Sequence, residues 1–251
     1  MKIGYVFEQG RRSRMEDALL FKATLLSNGV LAMAVLCDGM GGTQGGDEAS
    51  HLFLKEAELW YERELLRSIL GKERSPRELG TMIRAKVHRL FRDVNRMLFE
   101  RMRLKRVTYG TTAVLCIFYR DRYYLFHLGD SRCYALADHV LFPGRKGRNV
   151  RIRRLTKDHG NGKGVSKCVG CNPEWKPDGK TGRIGTKSFL FCSDGFYKTQ
   201  DEQTVSRSLH VMGAKKEAVL ERRLRALSDR AMRQGETDNI SALWVFPQAS
   251  V

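Results

Sequence analysis

The chain has 251 residues, with 45 Lys and Arg against 28 Asp and Glu, a formal net charge of +17, and 24 Gly but only 5 Pro. No apolar run reaches membrane-spanning length and no tract has linker or repeat composition, which argues against a membrane-spanning protein, a repeat array or a disordered tail. The surplus of positive charge favours acidic partners: phosphoproteins, nucleic acid or an anionic surface.

The opening stretch Met1–Glu8 is too short an apolar run for a signal-peptide core, so a cytoplasmic protein is expected, with residues 1–251 forming one domain. Cys37, Cys116 and Cys192 lie in apolar strand-like runs and Cys133 in a mixed one. They read as small buried hydrophobes, not as a disulfide framework. Ile3–Glu8 and Ala18–Leu26 alternate as strands, and Ser27-Asn28-Gly29 turns the chain into an unbroken apolar run, Leu31–Cys37. That run stops at Asp38-Gly39-Met40-Gly41-Gly42, as a buried strand does when it runs out into a tight turn.

Apolar spacing from Gly46 to about Ile69 predicts a helix ended by Gly71, and Ser75-Pro76 caps a second that runs to about Arg103. In the second, Met82, Ile83, Val87, Leu90, Phe91, Val94, Met97 and Leu98 mark one packing stripe. Thr111–Tyr119 and Tyr123–Leu128 form a hairpin that ends in Gly129-Asp130. Cys133–Leu136 is a strand with an expected hairpin partner at Val140–Phe142, and Val150–Leu155 is another. The Arg145–Arg154 run has no interleaved aromatic side chains for base stacking, so its Arg-Ile-Arg alternation reads as the polar face of a strand and no specific nucleic-acid partner is expected. Gly160–Gly185 reads as irregular. Phe189–Cys192 is a buried strand ending in Ser193-Asp194-Gly195; helices follow over about 202–211 and 215–234, and Ile240–Phe246 is the closing strand.

Asp38, Asp130, Asp194 and Asp238 therefore all fall at strand ends or starts beside Gly, Ser or Asn, and Glu16-Asp17 lies in a loop between strands. If these ends converge they make an all-oxygen cluster, suited to Mg²⁺ or Mn²⁺ rather than Zn²⁺. Like charges so grouped need cations between them to stay ionised.

Seven segments occur in the order found in the metal-dependent protein phosphatases: Arg12 with Met15-Glu16-Asp17, Asp38–Gly42 with Gly46–Ser50, Gly110–Ala113, Gly129–Arg132, Leu155–His159, Cys192–Gly195 and Asp238-Asn239. The chain resembles the compact bacterial branch of this family, the protein phosphatase 2C type. The resemblance implies an α+β fold, a four-layer α-β-β-α sandwich with two mainly antiparallel sheets between helix pairs. It implies an Mn²⁺- or Mg²⁺-dependent phosphatase that hydrolyses phosphoserine and phosphothreonine in proteins with water activated between two ions, opposing a bacterial Ser/Thr kinase and acting as a monomer. By position, Asp38 would bridge the two ions, Glu16 and the Gly39 carbonyl would serve one, and Asp194 and Asp238 the other. Asp130, with Asp194, would match a weaker third site. Asp17 would orient water, and Arg12 would hold the substrate phosphate, a role that suits a guanidinium.

Two departures stand out. Met40 occupies the place of a His that eukaryotic members use as a proposed general acid, so protonation of the leaving alcohol falls to water at the metals. The flap that bacterial relatives insert after the Thr156–His159 segment is reduced to Gly160–Ser166. Two alternatives stay open: a phosphatase for a small phosphate ester, and a phosphatase fold retired to binding. The lone Cys168/Cys171 pair has no second CxxC to complete a zinc site, and His127 and His159 read as structural.

Overall fold

In the computed structural model, residues 1–41, 45–70, 73–107, 109–139, 149–160, 164–209 and 216–247 are described. The chain begins with β1 (Lys2–Glu8), β2 (Asp17–Leu26) and β3 (Gly29–Met40). In β3 the apolar run is sorted by the strand's period of two. Leu31, Met33, Val35 and Cys37 face one layer, while Ala32, Ala34 and Leu36 face another. A strand reads as continuously apolar when both its faces are covered.

Next come α1 (Gly46–Trp60), a π-helical turn over Tyr61–Leu65, α2 (Leu66–Ile69) and α3 (Pro76–Lys105). Ser75 and Glu78 form a reciprocal capping box at the start of α3, with Pro76 in the first turn, so the expected cap is present. The expected stripe is buried at Ile83, Val87, Leu90, Phe91, Val94 and Leu98, Met82 packs partly buried beside it, and Met97 lies at its exposed margin. The rest of the chain is β4 (Gly110–Thr111), β5 (Ala113–Tyr119), β6 (Arg122–Leu128), β7 (Arg132–His139), β8 (Asn149–Arg154), β9 (Asp178–Arg183), β10 (Ser188–Cys192), α4 (Asp194–Tyr197), α5 (Glu202–Ser208), α6 (Glu217–Arg233) and β11 (Ile240–Phe246).

These strands make two antiparallel sheets, one ordered β1-β11-β10-β7-β8 and the other β2-β3-β5-β6-β9, with β4 paired to β3. Three apolar layers hold them. One lies between the sheets, around Phe118, Phe189 and Phe191. The second packs α1 and α3 on the outer face of the β3 sheet, and the third packs α4, α5 and α6 on the outer face of the β11 sheet around Trp244. This is the expected α-β-β-α sandwich. Cys37, Cys116, Cys133 and Cys192 are free and buried, as expected of small apolar residues.

Two readings of the sequence are corrected or left open. Residues 178–183, read as irregular, form edge strand β9 on β6. Asp178-Gly-Lys-Thr-Gly-Arg183 has no apolar residue to show a period, and only the backbone ladder defines the strand. The partner observed for β7 is β8, with Leu136 opposite Ile152. Val140–Phe142, expected in that place, lies outside the described residues. Arg151 and Arg153 are exposed and Ile152 packs inward, so the Arg-Ile-Arg alternation is indeed one polar strand face.

Candidate metal centre

The carboxylates that end separate strands in the sequence meet at one end of the sandwich. A cleft of about 690 Å³ is lined by Arg12, Glu16, Asp38, Gly39, Asp130, Asp194 and Asp238, together with Met40, Arg132, Asp158, Tyr197 and Lys198. Asp17 sits directly behind it, only 1% exposed, and is Asp38's partner in the β2–β3 register.

Backbone contacts fix this geometry. The Gly39 amide donates to the Glu16 carbonyl at 3.1 Å. A Cβ on Gly39 would collide with the carbonyls of Gly46 and Glu16, so glycine lets three segments converge there. The main chain of Asp38 is gripped by the Gly110–Ala113 motif. Its amide donates to Thr112 Oγ1 at 3.0 Å, and its carbonyl accepts from the Thr112 amide at 2.8 Å and from Thr111 Oγ1 at 3.0 Å. Thr112 Oγ1 shares a hydrogen with Ser131 Oγ at 2.7 Å, which ties the Asp38 end to the Asp130 loop. His159 supports that loop from below: its amide donates to the Gly129 carbonyl at 3.0 Å and its Nδ1 accepts from the Gly129 amide at 3.1 Å. His127 stacks flat on His159 and meets the Lys157 backbone through Nε2, and His159 Nε2 lies 3.3 Å from Asp178 Oδ2, so the two rings brace the loop while grouping with one carboxylate in a set that could hold a metal ion.

The electrostatics are those of anions that outnumber the cations beside them: Arg12 pairs with Asp238 and Lys198 with Asp194, while Asp38 and Asp17 lie buried among like charges. Burial first, then the charges of Asp17, Asp194, Asp130 and Asp238, push the Asp38 carboxyl well above the usual range. Asp17 is pushed up to about 7 by burial and by Asp194 and Asp238, against the lowering effect of the Ser241 and Ser193 hydroxyls. Asp130 rises to about 6 through burial and the neighbouring Asp194. Glu16 and Asp194 move the same way, chiefly through burial. Glu16 Oε1 and Asp17 Oδ2 are buried without a hydrogen-bond partner among the described residues. Buried anionic oxygens left unpaired, on carboxylates grouped at one cleft, suit hard divalent cations.

A model of the protein phosphatase 2C family matches residues 9–235. The chain belongs to that family. It is 29% identical over 128 residues to the serine/threonine phosphatase stp of Listeria monocytogenes, an alignment covering 51% of this chain and 43% of that protein. The chain thus aligns with less than half the length of this curated relative. Two phosphatases are among the solved structures that share its fold. Serine/threonine phosphatase Stp1 from Staphylococcus aureus superposes with a TM-score of 0.76 at 20% identity, covering 99% of this chain and 96% of that one. The catalytic domain of the serine threonine protein phosphatase PstP, solved in complex with 2 manganese ions, superposes at 0.72 and 22% identity, covering 97% and 96%.

Within this family frame, the structure also brings in residues to which the sequence reading gave no role. Asn239 is the clearest. Its Oδ1 accepts from the Glu16 amide at 2.8 Å, and its Nδ2 donates to the carbonyls of Gln9 at 2.8 Å and Arg14 at 3.0 Å. One buried amide thus sets the loop that carries Arg12, Glu16 and Asp17. The signal was available, since an Asn immediately before a strand can donate two hydrogen bonds and accept at a separate oxygen, which Gly cannot do and a single Ser hydroxyl does only in part. Asn239→Ala is expected to cost about 1–3 kcal/mol of stability through three lost hydrogen bonds. It should also lower phosphatase activity roughly 10–100-fold, as loss of a partner that orients a metal ligand does. Thermal melting and initial rates check both.

Arg132 closes the Gly129–Arg132 segment, and the sequence assigns it no role. It is held by Asp158 at 2.7 Å and stacks on Tyr197 at 3.5 Å from the ring centroid, walling one side of the cleft. Residues 161–163 lie outside the described residues, but Gly160 pairs with Val165 and the Ser166 amide donates to the His159 carbonyl at 2.8 Å. Cys168 and Cys171 are placed as a bonded pair with Cα atoms 5.6 Å apart, against Gly110. No helix among the described residues is long and apolar enough to cross a membrane.

Proposed function

We propose that this chain is an Mn²⁺- or Mg²⁺-dependent phosphatase that removes phosphate from serine and threonine side chains of proteins in the cytoplasm, in opposition to a Ser/Thr kinase. The observation that carries the reading is the convergence of Glu16, Asp38, Asp194 and Asp238 on one open cleft beside Arg12. A phosphatase fold retired to binding has no need of such a set, because Asp38, buried among the other carboxylates, destabilises the fold unless a cation is bound there. We also read residues 1–251 as one catalytic domain, a reading supported by the family match over 9–235 and by the pairing of the first strand with the last.

Asp38, Glu16 and the Gly39 carbonyl would hold one ion, and Asp38, Asp194 and Asp238 the other. Such a pair supplies Lewis acidity at phosphorus and makes water nucleophilic at neutral pH. The protein's own groups do the rest. Arg12 extends over the cleft with 49% of its side chain exposed, and its Nη2 donates to Asp238 Oδ2 at 2.8 Å. A guanidinium has five N–H donors, so Arg12 can keep Asp238 in place while it holds a phosphate oxygen. Asp17, buried behind Asp38, orients hydrogen bonds from the floor of the cleft, and its oxygens accept a proton more readily than an exposed Asp does. The floor is polar and open on one side, which leaves room for a phosphorylated side chain on a protein surface.

Hydrolysis of p-nitrophenyl phosphate and of a phosphothreonine peptide, each with Mn²⁺, Mg²⁺ or EDTA, tests the reading. Turnover of both that requires metal is the expected result. Hydrolysis of the small ester alone favours the small-ester alternative, and folded protein inactive with every divalent ion overturns the enzyme reading.

A further inference from the structure

The geometry points to Lys198 as a built-in cation at the Asp130–Asp194 end of the cleft, so that the chain takes two divalent ions and not a third. The inference rests on the carboxylate assignments above and concerns how many ions they bind.

Lys198 closes the single turn that Asp194 opens, its amide donating to the Asp194 carbonyl at 2.9 Å. The four-residue spacing brings its side chain back over the same turn, and its ammonium forms an ion pair with Asp194 Oδ2. The ammonium acts on Asp194 first and on Asp238 and Asp130 after it. Tyr197, the residue before it, donates its hydroxyl to the Asp130 carbonyl at 3.1 Å, so the turn that presents Lys198 is fastened to the Asp130 loop.

Among the described residues, the other cations that line this cleft are already engaged. Arg132 is chelated by Asp158, with Nη2 at 2.7 Å and Nε at 3.2 Å, and lies flat on Tyr197. Arg12 serves Asp238. Among the described residues, Lys198 is thus the cation that answers Asp194 and, beyond it, Asp130. Charge balance agrees: two divalent ions with Lys198 and Arg12 match the six carboxylates Glu16, Asp17, Asp38, Asp130, Asp194 and Asp238. A third divalent ion beside the ammonium would add positive charge that no remaining carboxylate offsets, in a partly buried site where like charges repel strongly.

The test is the number of Mn²⁺ ions bound, read by elemental analysis after desalting and by calorimetric titration, for the wild type, Lys198→Asp and Lys198→Met. The wild type is expected to bind two. Lys198→Asp replaces the ammonium with a ligand oxygen and should bind three. Lys198→Met removes only the charge and should tighten binding of a third ion by about tenfold or more relative to the wild type. Retention of the first two ions reports that each variant is folded. A wild type that binds three ions overturns the assignment of Lys198, as do two folded variants that bind Mn²⁺ in the same number and with the same affinity as the wild type. A folded wild type that binds none overturns the carboxylate reading beneath it.

Discussion

Asp38→Asn is expected to lower metal-dependent hydrolysis of p-nitrophenyl phosphate by about 1,000-fold or more, roughly 4 kcal/mol of lost transition-state stabilisation. The fold should survive the change. The cradle around this residue holds its backbone, through Thr111 and Thr112, and none of those bonds uses the carboxylate. Asparagine keeps the shape and removes the charge, and that charge is the one most opposed by its surroundings. Burial, Asp17, Asp194, Asp130 and Asp238 all disfavour it in the absence of a cation. The variant should therefore bind Mn²⁺ more weakly, yet melt at a higher temperature than the wild type in EDTA. Loss of activity together with a raised melting temperature in EDTA separates a metal-binding role from a structural one, because a structural carboxylate lowers both when removed. A folded variant with wild-type activity takes Asp38 out of the metal centre.

Positions were more legible in the sequence than pairings. The Leu31–Cys37 run announced a strand covered on both faces, and each strand-end Asp was visible because an apolar run stops abruptly at a charge beside Gly or Ser. Burial on two faces leaves a mark that a single chain segment carries by itself. Edge strand β9 leaves none, since a strand of Asp, Gly, Lys, Thr and Arg is defined only by the β6 backbone it bonds to. The same division runs through the site. Asp38 and Asp194 could be singled out from local pattern, but the work of Asn239 depends on carbonyls at Gln9 and Arg14, more than 220 residues away in sequence. Lys198 lies between these cases. Its spacing from Asp194 is local, but its significance appears only when Asp130, on a different strand end, is brought beside it.

Removing the metal should turn the stability of this protein into a falling function of pH. Asp17 titrates near 3.8 in the unfolded chain and at about 7 in the fold, so between these values the folded state holds more protons than the unfolded one. Stability is then fully present below about pH 4 and is lost as pH rises through about 7, by an amount on the order of 4 kcal/mol for Asp17 alone. Asp130 adds to the loss in the same direction, through about 6. The sign is opposite to that of an ordinary ion-paired carboxylate, whose contribution is lost in acid. Divalent cations should cancel the effect, because they stabilise the ionised forms that the fold by itself disfavours. Denaturant melts in EDTA should therefore give a midpoint that declines from pH 5 to pH 8, and saturating Mn²⁺ should raise it far more at pH 8 than at pH 5. A midpoint in EDTA that rises over this interval would mean that the carboxylates are compensated within the protein itself, and that their grouping does not depend on bound metal.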